Sequence, residues 1–161
     1  MKRTFLAGVL LTFCGVTQAA YVEPDVQAAL DGFKGCGGAI REAMKSYIRS
    51  PDGRYFTKWS DETIVNSYFF GAAFGQAGDT IYQDTAIVKA GNICVVTTST
   101  VLTVNQRCIQ YKEENPAWTY EATLGDYTFT KNKGGVRALL KDFNSGCVVQ
   151  FNMAQKYPAD K

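Results

Sequence analysis

Hydrophobic positions along this chain change period once, and the change divides it into a helical and a β portion. Between Pro24 and Tyr47, the apolar residues Val26, Leu30, Phe33, Ile40, Met44 and Tyr47 recur roughly every 3.6 residues, the mark of an amphipathic helix. From Thr80 onward, short runs of β-branched and aromatic residues are separated by turn residues, the mark of strands. The fold class this predicts is α+β: an N-terminal helix or helix pair packed on an antiparallel β-sheet of about five to seven strands.

Within the helical portion, Gly32, Gly35, Gly37 and Gly38 interrupt the apolar stripe. Each costs about 1 kcal/mol against Ala in a helix interior. The segment therefore reads as two helices hinged at Gly37-Gly38, or as one helix whose glycines let it approach a sheet. Ser50-Pro51-Asp52-Gly53 is a turn, and Arg54 to Trp59 alternates like a strand. Ser60-Asp61-Glu62 resembles a helix cap, with Ile64, Tyr68 and Ala72 on one face beyond it. Phe69-Phe70-Gly71 fits a buried strand as well.

Thr80–Ala90, Ile93–Val104 and Arg107–Lys112 read as strands. Trp118, Tyr120, Ala122 and Leu124 then alternate with polar residues up to Gly125-Asp126, after which Tyr127 and Phe129 alternate with threonines. A two-residue loop there pairs Leu124 with Tyr127 and Ala122 with Phe129. Val136–Phe143 has both helical spacing and a following Asn144-Ser145-Gly146 hairpin turn, which tips it toward a strand. Cys147, Val149, Phe151 and Met153 alternate strictly, as a strand whose cysteine faces inward.

Residues 1–19 carry a different pattern. Met1-Lys2-Arg3 is a short positive start, Thr4–Val16 an apolar run, and Thr17-Gln18-Ala19 supplies small residues before a cut. This is the layout of a signal peptide, too short for a transmembrane helix. The expected organisation is a leader over 1–19 and a single α+β domain over 20–161, exported to a periplasm. Cys14 does not follow a small residue, because Phe13 precedes it, so a lipid anchor is not expected there. No second stretch is long enough to span a bilayer.

Composition then narrows the chemistry. The leader removes Lys2 and Arg3 from 17 basic residues, which leaves them balanced against 15 acidic ones. A chain this neutral has no general pull on nucleic acid. Cys36, Cys94, Cys108 and Cys147 remain in the mature part, an even number in an oxidising compartment, which implies two disulfides. If Ile93, Val95, Ile109 and Tyr111 point inward, Cys94 and Cys108 both point outward on adjacent strands. The expected pairs are therefore Cys94–Cys108 and Cys36–Cys147.

The chain has no histidine, which removes the usual triads and most zinc sites. No Cys-x-x-Cys pair or phosphate loop occurs, so neither cofactor nor metal is expected. The acidic candidates Asp61-Glu62, Glu113-Glu114, Asp79 and Asp84 read as solvated or helix-end acids, and the chain as no enzyme. Two loops stand out as binding surface: Glu113, Glu114, Asn115 and Trp118 in one, Arg54 and Tyr55 in the other. Aromatic and arginine side chains on rigid loops suit protein interfaces.

The function expected from these readings is a small periplasmic protein-binding module, an inhibitor or immunity-type protein that neutralises an envelope-acting enzyme, with another envelope protein as partner. The alternatives are a carrier of a small apolar ligand, its pocket lined by Phe69, Phe70, Phe74 and Tyr82, or a structural component of an envelope machine.

Overall fold

The computed structural model describes residues 22–50, 52–57 and 66–161. The leader reading, Trp59 and the predicted cap at Ser60-Asp61-Glu62 lie outside the described residues. Three short helices come first: α1 (Pro24–Leu30), α2 (Gly37–Ala43) and α3 (Lys45–Ile48). Strands β1 (Arg54–Thr57), β2 (Ser67–Gln76), β3 (Asp79–Ala90) and β4 (Ile93–Val104) follow. Helix α4 (Cys108–Glu114) then leads to β5 (Trp118–Leu124), β6 (Tyr127–Asn132), β7 (Arg137–Phe143) and β8 (Gly146–Pro158).

All eight described strands form one antiparallel sheet in the order β1-β2-β3-β4-β8-β7-β6-β5. The α+β class stands, with more strands than the expected five to seven. Part of the excess comes from Ser67–Gln76, where the helical spacing of Tyr68 and Ala72 gives way to a ten-residue strand. Phe70 and Ala72 lie under the helices, while Gly71 sits on the opposite face beneath the Phe56 ring of the neighbouring strand. A side chain at 71 would collide with that ring, so the glycine marks a close approach, as strand glycines often do.

One face of the sheet carries the core. Phe33, Ala39, Ile40, Met44 and Tyr47 from the helical segment and its connections bury Phe70, Ala72, Phe74, Ile87 and Val96. A second cluster on the same face gathers Cys108, Ala138, Leu140, Cys147 and Val149, with Tyr111, Trp118 and Phe151 at its margin. Between them, the buried Gln83 amide donates to the Ala43 carbonyl (2.9 Å) and to the Thr85 hydroxyl (2.9 Å). It ties the end of α2 to β3 and spares itself the cost of an unpaired buried polar group.

The helical segment does break in two, but at residues 31–36 rather than at Gly37-Gly38. Gly32 and Gly35 take φ of 94° and 86°, values open to glycine and strained for other residues. Gly37 and Gly38 open α2, and their N–H groups donate to the Asp160 carboxylate (2.6 and 3.3 Å). A residue far along the chain thus caps this helix. Asp160 is itself placed by one backbone bond, its N–H donating to the Gly35 carbonyl, and Ala159 by one to the Asn92 carbonyl, both 2.9 Å.

The disulfides pair differently from the expectation. They are Cys36–Cys94 and Cys108–Cys147, closing sequence separations of 58 and 39. Two premises fail together. Residues 108–114 form helix α4 and not a strand, so Cys108 never lies beside Cys94. And β4 presents Cys94 and Val96 to the core, leaving Ile93 and Val95 to alternate onto the other face. Cys94 therefore meets Cys36 under α2, and Cys147, opposite Val104 at the end of β4, meets the start of α4.

We expect non-reducing peptide mapping to recover a Cys36–Cys94 and a Cys108–Cys147 peptide and no mixed pairs. Loop-closure entropy assigns each bond about 4 kcal/mol, so the Cys36→Ala/Cys94→Ala variant should show a large drop in urea midpoint. Asp160→Ala should lower stability by about 1 kcal/mol, the usual worth of a helix cap, by the same urea assay.

Candidate functional site

The two loops singled out by sequence occupy opposite edges of the sheet. Arg54 and Tyr55 lie on β1, and Trp118 opens β5, with seven inter-strand spacings between them, or ~34 Å at 4.8 Å each. They cannot form one site. Tyr55 also faces inward: its hydroxyl donates to the Val22 carbonyl (2.7 Å), and its ring meets Tyr47 and Phe70 edge-on. It braces the N-terminal segment. Arg54 donates to the neighbouring Gly53 carbonyl at 2.9 Å.

The other loop is organised by α4. Asn115 ends the helix, its side-chain amide donating to the Tyr111 carbonyl at 2.8 Å. The Trp118 N–H donates in turn to the Asn115 carbonyl at 3.1 Å, so Asn115 positions the entry to β5. The Trp118 ring reaches 6.1 Å from Phe151, with the small buried residues Thr130 and Ala138 on the intervening strands. Trp118 is thus a half-buried anchor.

Glu113 and Glu114 are exposed in the last turn of α4, where the helix dipole disfavours negative charge. Glu114 is held only by the Gln110 amide (3.1 Å) among the described residues. Nearby, the Lys112 ammonium lies 5.6 Å from the Tyr120 ring centre.

The structure adds a feature that alternation alone conceals. The predicted hairpin is present, with Leu124 opposite Tyr127 and Ala122 opposite Phe129, but the register shifts between Tyr120 and Ala122. This β-bulge turns the strand over. Trp118 and Tyr120 point to the helix-covered face, whereas Ala122 and Leu124 point to the other, which carries no helix among the described residues. Leu124 is 72% exposed, and Tyr127 and Phe143, on the same face, are also exposed at that end of the sheet. Together they form an apolar corner at the tips of the β5–β6 and β7–β8 hairpins.

That corner is braced from within. The Cys108–Cys147 bond fastens the start of α4 to β8. Asp142 on β7 accepts hydrogen bonds from the Arg107 guanidinium (2.9 and 3.1 Å) and from the Cys108 N–H (2.9 Å). Those bonds hold the Asp142 carboxyl below the usual carboxylate range, the Arg107 bond contributing most. Lys141 lies 5.0 Å from the Tyr127 ring centre and 3.7 Å from Asp126.

Elsewhere, the aromatics expected to line an apolar pocket do not converge. Phe70 and Phe74 belong to the helix-side core. Phe69 and Tyr82 alternate onto the other face, where the Tyr82 hydroxyl donates to Asp84 (2.9 Å). Burial first, then the hydrogen bond and charge of Asp31, push the Tyr68 phenol well above its usual range. Burial alone raises Tyr111. Among the described residues, no cluster of three or more His, Cys, Asp or Glu could hold a metal, and no helix is long and apolar enough to cross a membrane. No protein-family model, curated protein or solved structure matches the chain.

Asp142 gives a pH signature. Its folded pKa lies below the unfolded value of about 3.9, so its contribution is present above pH 4 and is lost as pH falls through the folded pKa. Asp142→Ala should unfold at lower urea than wild type at pH 7. The gap should be small and salt-sensitive, because the pair is exposed, and should close on titration toward pH 2.

Proposed function

We propose that this chain is a small exported protein-binding module acting in the periplasm, an inhibitor or immunity-type protein that neutralises an envelope-acting enzyme. The observation that carries the reading is the braced corner. Leu124, Tyr127 and Phe143 project from hairpin tips that a disulfide and the Arg107–Asp142 pair hold in place. Exposed apolar side chains grouped on a rigid support are what protein interfaces use as anchors. Rigidity also limits the ordering cost of association.

The acidic end of α4 supports the same reading. Glu113 and Glu114 sit where the helix's own electrostatics oppose them, and among the described residues only the Gln110 amide, on Glu114, offsets this; a local rule broken with so little compensation favours a contact outside the chain. At the corner, Lys141 and Asp126, 3.7 Å apart, place charge beside the apolar side chains. An apolar centre with a polar margin is the usual anatomy of a recognition surface.

The test is affinity capture from periplasmic extract, followed by measurement of the captured partner's Kd. Leu124→Ala/Tyr127→Ala/Phe143→Ala should weaken the complex by about 100-fold, given about 1 kcal/mol or more per anchor, while leaving the urea midpoint near wild type. Equal recovery by wild type and variant would remove the corner from the binding surface. A Glu113→Ala/Glu114→Ala/Trp118→Ala variant separately reports on the α4 loop.

A further inference from the structure

The sheet has a third open edge, inside it. β8 is longer than its neighbour β7: the β7–β8 ladder ends at the Ala138–Phe151 pair, whereas the β4–β8 ladder continues through Pro158. From Asn152 to Pro158, β8 is paired on one side only among the described residues. Alternate residues of an antiparallel strand direct both N–H and C=O to the same side, so this stretch presents a row of backbone donors and acceptors away from β4. Its side chains show the same openness, because Asn152, Met153, Ala154, Gln155 and Lys156 are exposed in succession. A strand covered on one face would show alternating burial.

The other two edges are defended in the ways that natural sheets defend them. β1 is four residues long, and β5 is broken by the bulge at Glu121. The lower half of β8 has neither device: its ladder with β4 runs without a register shift, and Pro158 comes only at its end. The notch beside it is bounded by the β6–β7 turn, Lys133–Val136, and by Arg137 at the start of β7. Its charge is basic. Lys133 and Lys156 are exposed and have no acidic partner among the described residues, while Arg137 is paired with Glu121.

We infer that Asn152–Pro158 takes an extended, acidic peptide segment of a partner protein by strand addition next to β8. Main-chain hydrogen bonds would supply affinity, and side-chain charge would supply selectivity. An incoming strand fills the step left where β7 stops, and its carboxylates fall beside Lys133 and Lys156. The inference rests on the reading of the chain as a protein-binding module and names the kind of segment that such a partner offers. The edge is distinct from the apolar corner, which lies at the opposite end of β7 and β8.

The experiment uses the ¹⁵N-labelled protein and a capped eight-residue peptide, Thr-Glu-Val-Glu-Val-Glu-Val-Thr, followed by amide shifts and hydrogen exchange. The expected result is saturable shifts centred on 152–158, slowed exchange at alternate amides there, and affinity that falls with salt. The lysine-for-glutamate version of the peptide should bind at least ten-fold more weakly. So should the acidic peptide to Lys133→Glu/Lys156→Glu, both of whose substitutions are on exposed side chains. An acidic peptide N-methylated at alternate residues, in both registers, should lose binding in one register.

Shifts on β5 or elsewhere, no shifts at millimolar peptide, or equal affinity for the acidic and lysine peptides would overturn the inference. Pairing of 152–158 with a second copy of the chain, seen as a concentration-dependent dimer, would also overturn it. The Leu124→Ala/Tyr127→Ala/Phe143→Ala variant separates the two claims. Peptide binding should survive in it, and loss of peptide binding with corner-dependent partner capture intact removes only the β8 edge.

Discussion

The helices of this protein are too short to stand by themselves, and everything on the helical side follows from that. α1 and α2 have seven residues each and α3 has four, below the length at which an isolated helix holds together in water. They persist because the sheet holds them at several points. Cys36 is bonded to Cys94 in a central strand, Gln83 reaches up to the Ala43 carbonyl, and Asp160 caps the start of α2. These tethers keep the apolar faces of the helices on Phe70, Ile87 and Val96. The opposite face of the sheet carries no helix among the described residues, and there Phe56 lies over Gly71.

Much of this was legible in the residues, and the failures have physical causes. The β5–β6 hairpin and the strand at Cys147–Met153 follow from strict alternation, and pairing through Gly125-Asp126 leaves little freedom of register. The stretch at 107–112 has the pattern of a strand, because Cys108, Ile109 and Tyr111 have strand-forming side chains, yet Cys108–Glu114 is a helix. What decides their conformation is not local: Asp142, 34 residues along, accepts the Cys108 N–H, and the disulfide to Cys147 fixes the helix start. The same dependence undid the disulfide pairing. Whether Cys94 faces in or out is a parity question, and neighbouring apolar residues on both faces of β4 leave parity undecided until a partner strand is known.

The candidate site divides in the same way. Glu113, Glu114, Asn115 and Trp118 were visible as an unusual loop, and they do cluster, around the end of α4. Arg54 and Tyr55 shared its composition but not its place, since β1 and β5 are joined only through the whole width of the sheet. The apolar corner left no mark in the pattern. Leu124 alternates in phase with Trp118, and a single inserted residue at Glu121 reverses which side it presents. A bulge costs the sequence nothing that a period-two reading detects.

The position of β8 has a consequence for how the protein comes into being. Gly146–Pro158 follow the other seven described strands in the chain, yet they lie between β4 and β7 and are the only described strand that joins the two halves of the sheet. Before they are synthesised, β1–β4 and β5–β7 are two separate ribbons with open sides. Folding therefore ends with a closure between distant parts of the chain, a slow event for reasons of loop entropy. Strands β1–β7 cannot complete the sheet until β8 has emerged.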